Sequence, residues 1–389
     1  MMPHASFSPS RSVEIELIKQ DVGFYFDIML NLATRQSIGI LIFGLIPYLS
    51  LFTVETYKYL QNVFPQYARF VSREHKEIIT ASRMRIKLFD DKEQRVDGIF
   101  ELLKWIMEFN KEWHINGHKG FLAPLKRALQ YDLGIFFYDS HIIGSTHVGF
   151  FNIGYDKKDL PLTSGDISNV LPSLSKSIGF ALGNYLGQLC SIPEFIPNNI
   201  EPVFSYNIND ERMKYKDEKA NRYLSVVFNG DKTIDMNFSL LLFLATLNFM
   251  QYIFRNVVIG SPPTLFKLKF VTLYHLVSSL EKLKKYYYSI DLLSNNSKSH
   301  FQDILEEKEL ALLRSRKAFR NILVHYTIRG IPESSLNTSE NLFGLIEYFF
   351  DGKTYAEIDK MLDEQIARIS AILEEWINWT ILPSQLSNW

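Results

Sequence analysis

A short stretch near the C-terminal end places an arginine, an asparagine and a histidine at a spacing that suits phosphate chemistry. Arg320 and Asn321 are adjacent, and His325 follows four residues after Asn321. The guanidinium group has a permanent charge and a fork of N–H donors that matches a phosphate, and histidine takes or gives a proton near neutral pH. On a helix, Asn321 and His325 lie about 40° apart on one face. The stretch therefore predicts a site that holds a phosphate and moves a proton.

Arg320 lies off that face, and two interpretations of the stretch stay open. By the same helical count it is about 140° from His325, so its long side chain has to curve around the edge of the helix. Asn321 can orient the imidazole or bind a ribose or phosphate oxygen. No acidic residue occurs between Leu310 and Pro332. This favours an anion site, but it is also typical of a solvated basic face at the end of a helix, where cations meet exposed carbonyl groups.

The stretch is predicted to lie on the third helix of a C-terminal bundle over residues 237–382. Apolar residues recur at helical spacing in four segments, and Gly330 and Pro332 follow the third of them. The segments are residues 237–258, residues 264–293, residues 305–326 and a last helix that Thr354 can cap. Four helices joined in this way predict a bundle in which neighbours are antiparallel.

The rest of the chain predicts a second, mostly helical unit. The chain has 389 residues, more than one hydrophobic core usually serves, so two domains are expected. Residues 1–200 read as a helical N-terminal domain, with a minor β or irregular aromatic segment at residues 133–155. Residues 201–236 form a mixed connector with a strand-like piece at residues 223–228. The predicted fold class is mainly α, with a helical N-terminal domain followed by a four-helix bundle.

Composition excludes several classes of protein. The formal net charge of −1 gives no global basic field, so nucleic-acid binding has to come from a local patch. The single cysteine, Cys190, excludes an intramolecular disulfide and a cysteine-based zinc site, and it fits a reducing, cytoplasmic compartment. His114 and His118 have the spacing of two metal ligands, but no carboxylate motif follows them. We predict no cofactor and no metal.

Residues 36–54 carry no charge and are just long enough to span a bilayer. Gly39, Gly44 and Pro47 interrupt the segment, and serine, threonine and tyrosine dilute it. A buried helix or helix pair is therefore favoured over a membrane anchor. We predict a protein that does not bind a membrane.

Arg320, Asn321 and His325 on the third helix of a C-terminal bundle resemble the HEPN superfamily. Active members of that superfamily are metal-independent ribonucleases with an Arg-x(4–6)-His motif, often with a polar residue directly after the arginine. The resemblance covers the bundle, approximately residues 237–382, and no family is suggested for the first 200 residues. Large helical N-terminal extensions occur among stand-alone bacterial HEPN proteins.

The resemblance implies an endoribonuclease acting as a toxin or in phage defence. Two copies would form a homodimer through the C-terminal bundle, each motif helix contributing to one composite cleft. Arg320 would hold the scissile phosphate, and His325 would act as base on the ribose 2′-hydroxyl or as acid to the leaving oxygen, giving a 2′,3′-cyclic phosphate. Asn321 would orient the phosphate or His325. Three further cations would guide the RNA backbone: Arg314, Arg316 and Lys317.

The bare pattern is not specific, because two near-matches occur elsewhere. Arg69 and His75 have a permitted spacing, but an apolar residue follows the arginine. Phe254-Arg255-Asn256 repeats Phe319-Arg320-Asn321, but Gly260 takes the place of the histidine. His275, on the second helix of the bundle, is expected to be a satisfied core histidine, although it lies within reach of the predicted cleft.

Two rival functions remain open from the sequence. The bundle could be a non-catalytic HEPN-like module that binds a nucleotide or a partner protein, with Arg320 as its anion anchor. The chain could also be a helical structural protein in which residues 36–54 meet a membrane. For a toxin, the N-terminal domain would bind an antitoxin or act with a sensor partner.

Overall fold

The protein is mainly helical, which confirms the predicted fold class. A computed structural model describes residues 7–32, 35, 37–69, 73–90, 95–116, 123, 125, 129–154, 167–197, 208–230, 233–257, 262–378 and 387–388. The helices of the first half are α1 (Pro9–Leu32), α2 (Ile38–Val63), α3 (Arg73–Arg85), α4 (Val96–Lys111), α5 (Thr146–Ile153) and α6 (Ile167–Cys190). Those of the second half are α7 (Ala220–Leu224), α8 (Ile234–Asn248), α9 (Pro263–Ser289), α10 (Asn295–Leu305), α11 (Lys308–Ser315), α12 (Lys317–His325), α13 (Leu345–Phe349) and α14 (Tyr355–Trp376).

A small antiparallel sheet has the strand order β2-β1-β3-β4. Its strands are β1 (Leu133–Tyr138), β2 (His141–Ser145), β3 (Met213–Glu218) and β4 (Ser387–Asn388). The aromatic segment thus contains the predicted hairpin, which turns through Asp139 and Ser140, both with positive φ, as two-residue hairpin loops require. The sheet joins the first part of the chain to its end, because β3 pairs with β1 on one side and with β4 on the other.

The strand predicted at residues 223–228 is wrong. Residues Ala220–Leu224 form helix α7. Tyr223 and Leu224 of this helix are buried, and so is Val227, which follows it. The strand in this part of the chain is instead β3, which precedes α7 and contains several charged residues. It forms because β1 presents a hydrogen-bonding edge along its whole length. That edge is supplied by tertiary structure, so the alternation of side chains along residues 213–218 does not reveal it.

Helix α2 contains the predicted apolar segment and lies in the interior. It packs against α3, α5, α6 and α12, and a Cβ at Gly44 would collide with the ring of Phe249. Two described helical spans, Ile38–Val63 and Ile234–Phe254, are long and apolar enough to cross a membrane, but 78% and 83% of their most apolar windows are buried inside the protein. Both are consistent with core helices of a soluble protein, as the sequence favoured for the first.

In the predicted bundle, α9 packs against α10, α11, α12 and α14, and α14 also packs against α8. Helix α8 continues through a π-helical turn, Phe249–Phe254, into the short helix Arg255–Val257. The side chain of Thr354 caps α14 as predicted, accepting from the Glu357 backbone N–H at 3.3 Å, while Glu357 accepts from the Thr354 N–H at 2.7 Å. This reciprocal pair is a capping box.

The single third helix predicted over residues 305–326 is wrong, because α10 ends at Leu305 and two shorter helices, α11 and α12, cover the rest of this region. Leu313 and Phe319 explain the break between α11 and α12. They are six residues apart, which on one continuous helix places them about 120° from each other. The non-helical residue Arg316 reorients the chain between them, and both side chains are buried. One continuous helix would turn one of these side chains away from the core.

Buried residues from both predicted domains belong to one hydrophobic cluster that extends from Val13 to Ile377. Backbone pairing also crosses the predicted connector, since β3 lies within residues 201–236 and Phe228 bridges to Ile377. The domain boundary at residues 201–236 stays a prediction.

Candidate active site

Helix α12 ends at His325, five residues before the predicted stop at Gly330. Tyr326 ends it by taking the left-handed conformation, with φ 54° and ψ 21°. This conformation is unfavourable for a residue with a side chain unless its surroundings hold it. The Tyr326 hydroxyl donates to Asp21 Oδ2 at 2.5 Å and accepts from Lys267 Nζ at 2.8 Å. Lys267 also forms an ion pair with Asp21.

Three buried acidic residues of helices α1 and α2 contact the C-terminal end of α12 and the residues that follow it. Glu55 contacts His325, Asp21 contacts Tyr326, and Glu14 accepts from the Ile328 backbone N–H at 2.9 Å. All three acids are at most 4% exposed. Because α1 and α2 supply these contacts, the N-terminal region is part of the scaffold of the site.

Glu55 fixes the orientation and the tautomer of His325. Its Oε2 lies 2.7 Å from His325 Nδ1, and its Oε1 pairs with Arg83 and, at 3.2 Å, with Lys58. Burial raises the pKa of Glu55, but the hydrogen bond from His325 and the charges of Arg83 and Lys58 outweigh it and lower the pKa to about 2. An ionised carboxylate only accepts hydrogen bonds, so Nδ1 carries a proton. Nε2 of a neutral His325 is then free to accept one.

Arg320 and His325 line one pocket of about 140 Å³, here called the inner pocket. Its walls come from α2, the end of α3 and the turn after it, α9 and α12. Three of the lining side chains are permanently charged cations and two are histidines, and none is acidic. The described lining residues are Leu51, Arg83, Ile86, Lys87, Val271, His275, Arg320, Val324 and His325.

The Arg320 side chain reaches this pocket by lying over an aromatic ring. Its Cζ is 5.0 Å from the ring centroid of Tyr274, a cation–π distance. The expected curve of the side chain around the helix edge is thus observed. Arg320 Nε and Arg83 Nε are both buried without a hydrogen-bond partner. Guanidinium groups from two different helices therefore lie at the same pocket.

His275 confirms the expectation of a satisfied core histidine and also lines the inner pocket. It is 4% exposed, and its Nδ1 lies 2.9 Å from Asp90 Oδ2. Burial lowers the pKa of His275 and the nearby charge of Arg320 adds to this shift, while Asp90 opposes it. Asp90 also accepts from Ser278 and Lys282 at 2.7 and 2.8 Å. His275 is consequently held as a neutral, fixed wall of the pocket.

Asn321 faces the other side of His325. With His325, Thr327 and Arg329 it lines an outer groove of about 360 Å³. A third space of about 430 Å³, the side groove, lies between His325, Arg11, Lys58 and Arg329. His325 borders all three spaces, so its imidazole stands where the inner pocket meets the surface. Arg320 and Asn321 therefore border different spaces beside His325.

Of the three cations predicted to guide RNA, two are paired with acids and one is free. Arg314 forms an ion pair with Glu281, and Arg316 pairs with Asp351 at 3.0 Å. Lys317 is exposed and has no ion pair among the described residues. None of the three lines the inner pocket, and their role in binding RNA stays a prediction.

Sequence reasoning missed Glu55, Arg83 and Lys87. A signal for Glu55 was available, since it is the first charged residue after the apolar segment and continues the same helix. A buried carboxylate there requires a cationic or hydrogen-bonding partner. Arg83 and Lys87 gave no signal, because they lie over 230 residues before Arg320 in the sequence.

The histidine pair at residues 114 and 118, which the sequence disfavours as a metal site, falls partly outside the described residues, which do not include His118. The His114 side chain is described, and burial lowers its pKa despite the opposing charges of Asp132 and Asp217. Across the described ranges, no group of three or more His, Cys, Asp or Glu side chains is arranged to hold a metal ion.

Comparison with known proteins gives no relative of this chain. No family model matches it, and neither a curated protein nor a solved structure is significantly similar to it.

Proposed function

We propose that the protein is a metal-independent endoribonuclease of the HEPN type, with Arg320 and His325 as its catalytic residues. The observation that carries the proposal is the inner pocket. There, a half-buried arginine and a histidine with a fixed tautomer line a wall that contains no acidic residue among those described. A phosphate-sized cationic pocket next to a proton acceptor is what cleavage of a phosphodiester requires.

The arrangement supports a reaction in which the RNA supplies its own nucleophile. Nε2 of His325 takes the proton of a ribose 2′-hydroxyl, and the 2′-oxygen attacks the adjacent phosphorus. The bond from phosphorus to the 5′-oxygen breaks, and the proton held by His325 passes to that leaving oxygen. The products are a 2′,3′-cyclic phosphate and a 5′-hydroxyl. Arg320 stabilises the negative charge that develops on the phosphoryl oxygens.

Glu55 and Asn321 have supporting roles in this proposal. Glu55 holds the Nδ1 proton of His325, so that Nε2 faces the substrate, and stabilises the imidazolium that forms. Asn321 lines the outer groove beside His325, where it is placed to donate to a ribose or phosphate oxygen of the bound strand. Lys317 would attract the RNA backbone from the surface.

The biological setting and the assembly belong to the same proposal. An RNA-cleaving chain of this kind would act in the cytoplasm as a toxin or in phage defence, restrained by an antitoxin or a sensor partner. The homodimer through the C-terminal bundle also stays a prediction. Since Glu55 and Arg83 of the same chain flank His325, a second copy would have to approach from the outer or side groove.

The deciding experiment compares two histidine variants in an RNA cleavage assay that contains EDTA. We expect His325→Ala to reduce the rate by about 10²–10⁴-fold, the contribution usual for a general acid–base residue. His75→Ala is the matched control, because His75 belongs to the other Arg-x(4–6)-His sequence of the chain and does not line the inner pocket. Equal rates for His325→Ala and the unmodified chain would rule out the ribonuclease.

The non-catalytic alternative predicts a different pair of results. A binding module would cleave no RNA in any form, yet Arg320→Ala would weaken its binding to a nucleotide or RNA. That outcome would keep Arg320 as an anion anchor and remove the catalytic role of His325.

A further inference from the structure

We infer that the inner pocket is a phosphoryl-binding site whose second half comes from the same chain, with Arg83 and Lys87 facing Arg320. Arg83 lies in the last turn of helix α3 and Lys87 in the turn after that helix, whereas Arg320 lies on α12. All three line the pocket. The predicted N-terminal domain would therefore supply part of the substrate site itself, rather than only a regulatory extension.

The charge of the pocket indicates an anionic ligand. Three lining residues, Arg83, Lys87 and Arg320, are cationic at neutral pH, and none of the described lining residues is acidic. Glu55 pairs with Arg83 and His325, and Asp90 pairs with His275 and Lys282. These acids hold the basic side chains in place without lining the pocket itself. Glu55 compensates the charge of Arg83, whereas Arg320 has no ion pair among the described residues. An anion in the pocket would therefore be stabilised by Arg320 and by the other cations of the wall.

The guanidinium groups of the wall favour the same class of ligand. Arg83 and Arg320 bring two of these groups to the pocket, and Nε of each is enclosed by the protein. A phosphoryl group carries several oxygen acceptors and can take donors from two guanidinium groups at once. A carboxylate has only two oxygens and can accept fewer hydrogen bonds.

The size of the pocket restricts the ligand to one group. Its volume of about 140 Å³ resembles that of an engineered cavity of about 150 Å³ that holds a benzene molecule. A phosphoryl group fits such a space, but a whole nucleotide does not. The attached nucleoside must then lie outside, and His325 marks the way out because it lines both the inner pocket and the outer groove.

The phosphoryl group could belong to an internal linkage of RNA or to the end of a strand. Both present the same oxygens to the pocket, and a terminal group carries more charge. The inference deepens the proposed ribonuclease function, because it places the phosphate beside His325. Binding is nevertheless measurable without cleavage.

The test uses the full-length protein and RNA hexamers whose 2′-oxygens are methylated, which blocks attack by the 2′-oxygen. One hexamer has a 5′-terminal phosphate and the other has a 5′-hydroxyl, and inorganic phosphate is the third probe. We expect Lys87→Gln and Arg83→Gln each to weaken binding of at least one hexamer by about tenfold to a hundredfold, as for loss of one charged hydrogen-bond partner. A loss confined to the phosphorylated hexamer would assign the pocket to strand ends, and an equal loss for both would assign it to internal linkages.

Two controls keep the test decisive. Lys285→Gln removes an exposed lysine of α9 that does not line the pocket, and it should leave the affinity unchanged. Because Arg83 also pairs with Glu55, folding of Arg83→Gln is checked by circular dichroism against the unmodified protein. Should Arg83→Gln fail to fold, the result for Lys87→Gln alone tests the inference. Undiminished affinity of a folded Lys87→Gln for all three probes would overturn the inference.

The outcomes separate this inference from the proposed function. Cleavage of unmodified RNA that depends on His325 but not on Lys87 or Arg83 would keep the ribonuclease and remove the phosphoryl site completed within one chain. Binding that depends on Lys87 without any cleavage would keep the site and remove the ribonuclease.

Discussion

The tripeptide Phe-Arg-Asn occurs twice in the chain, and its two copies have different surroundings. In the first, Arg255 is exposed just after the π-helical turn, and Asn256 donates back to the Tyr252 backbone oxygen at 2.5 Å. In the second, Arg320 lies over Tyr274 and lines the inner pocket, while Asn321 lines the outer groove. The same three residues therefore end a core helix in one place and border a candidate active site in the other.

Of the three residues, only the phenylalanine has the same structural role in both copies. Phe254 and Phe319 are both fully buried and both pack edge-to-face against other aromatic rings. The two copies differ in the side chains that other helices place around the arginine and around the position that His325 occupies in the second copy. Glu55, Arg83 and Lys87 surround the second copy, so the site is made by these neighbours as much as by the motif.

The largest predicted effect is a loss of stability on mutation of the phenylalanines, the residues that have the same structural role in both copies. Phe254→Ala and Phe319→Ala should each lower the free energy of unfolding by about 3–5 kcal/mol, the usual cost of a cavity left by a buried phenylalanine. Denaturant unfolding followed by circular dichroism measures both. A loss below about 1 kcal/mol for either variant would show that its ring is not a core anchor.

The next effect is expected where the copies differ. Arg320→Gln should slow RNA cleavage by about 10²–10³-fold, because it removes a charge that stabilises the transition state. Arg255→Gln is its matched control and should leave the rate unchanged, since Arg255 is exposed and has no ion pair among the described residues. If the two variants lost equal activity, the comparison would fail, and a general effect of positive charge would explain both.

A smaller effect concerns the acid that distinguishes the second copy. The pKa of Glu55 is lowered from 4.5 to about 2 in the folded protein. Its ionised form therefore stabilises the fold above about pH 4.5, and this contribution is lost as the pH falls toward 2. Relative to Glu55→Gln, the unmodified protein should lose up to about 1.4 kcal/mol of stability per pH unit over that range.

Unfolding by denaturant at a series of pH values from about 6 to about 3.5 measures this difference. Glu364→Gln is the control, since that side chain is 63% exposed and should follow the unmodified protein. Parallel pH dependence of the unmodified protein and Glu55→Gln would show that Glu55 is not held as a carboxylate by His325, Arg83 and Lys58.

Local features of the fold were predictable because local physics produces them. The helices of residues 237–257 and α9 follow from apolar periodicity, the β1–β2 hairpin from its alternating aromatic residues, and the cap of α14 from Thr354 and Glu357. Strand β3 and the breaks around α11 were not predictable. A hydrogen-bonding edge on β1 produces the first, and the need to bury Leu313 and Phe319 together produces the second.

The sequence by itself determined which residues of the candidate site have suitable chemistry. Arg320, Asn321 and His325 are recognisable from residue type, helical spacing and the absence of acids nearby in the chain. It also determined that the protein is mainly α and that the apolar segment is a core helix. These conclusions need only interactions between residues a few positions apart.

Tertiary structure alone decided that Arg320 and Asn321 border different spaces beside His325, and which groups surround them. Glu55 is 270 residues from His325 in the sequence, yet its carboxylate fixes the imidazole. Arg83 and Lys87 complete the wall of the inner pocket from a helix and a turn that carry no sign of it in their own sequence. The physical reason is that a charge acts through space: packing of α2 and α3 against α12 sets these distances, and spacing along the chain does not.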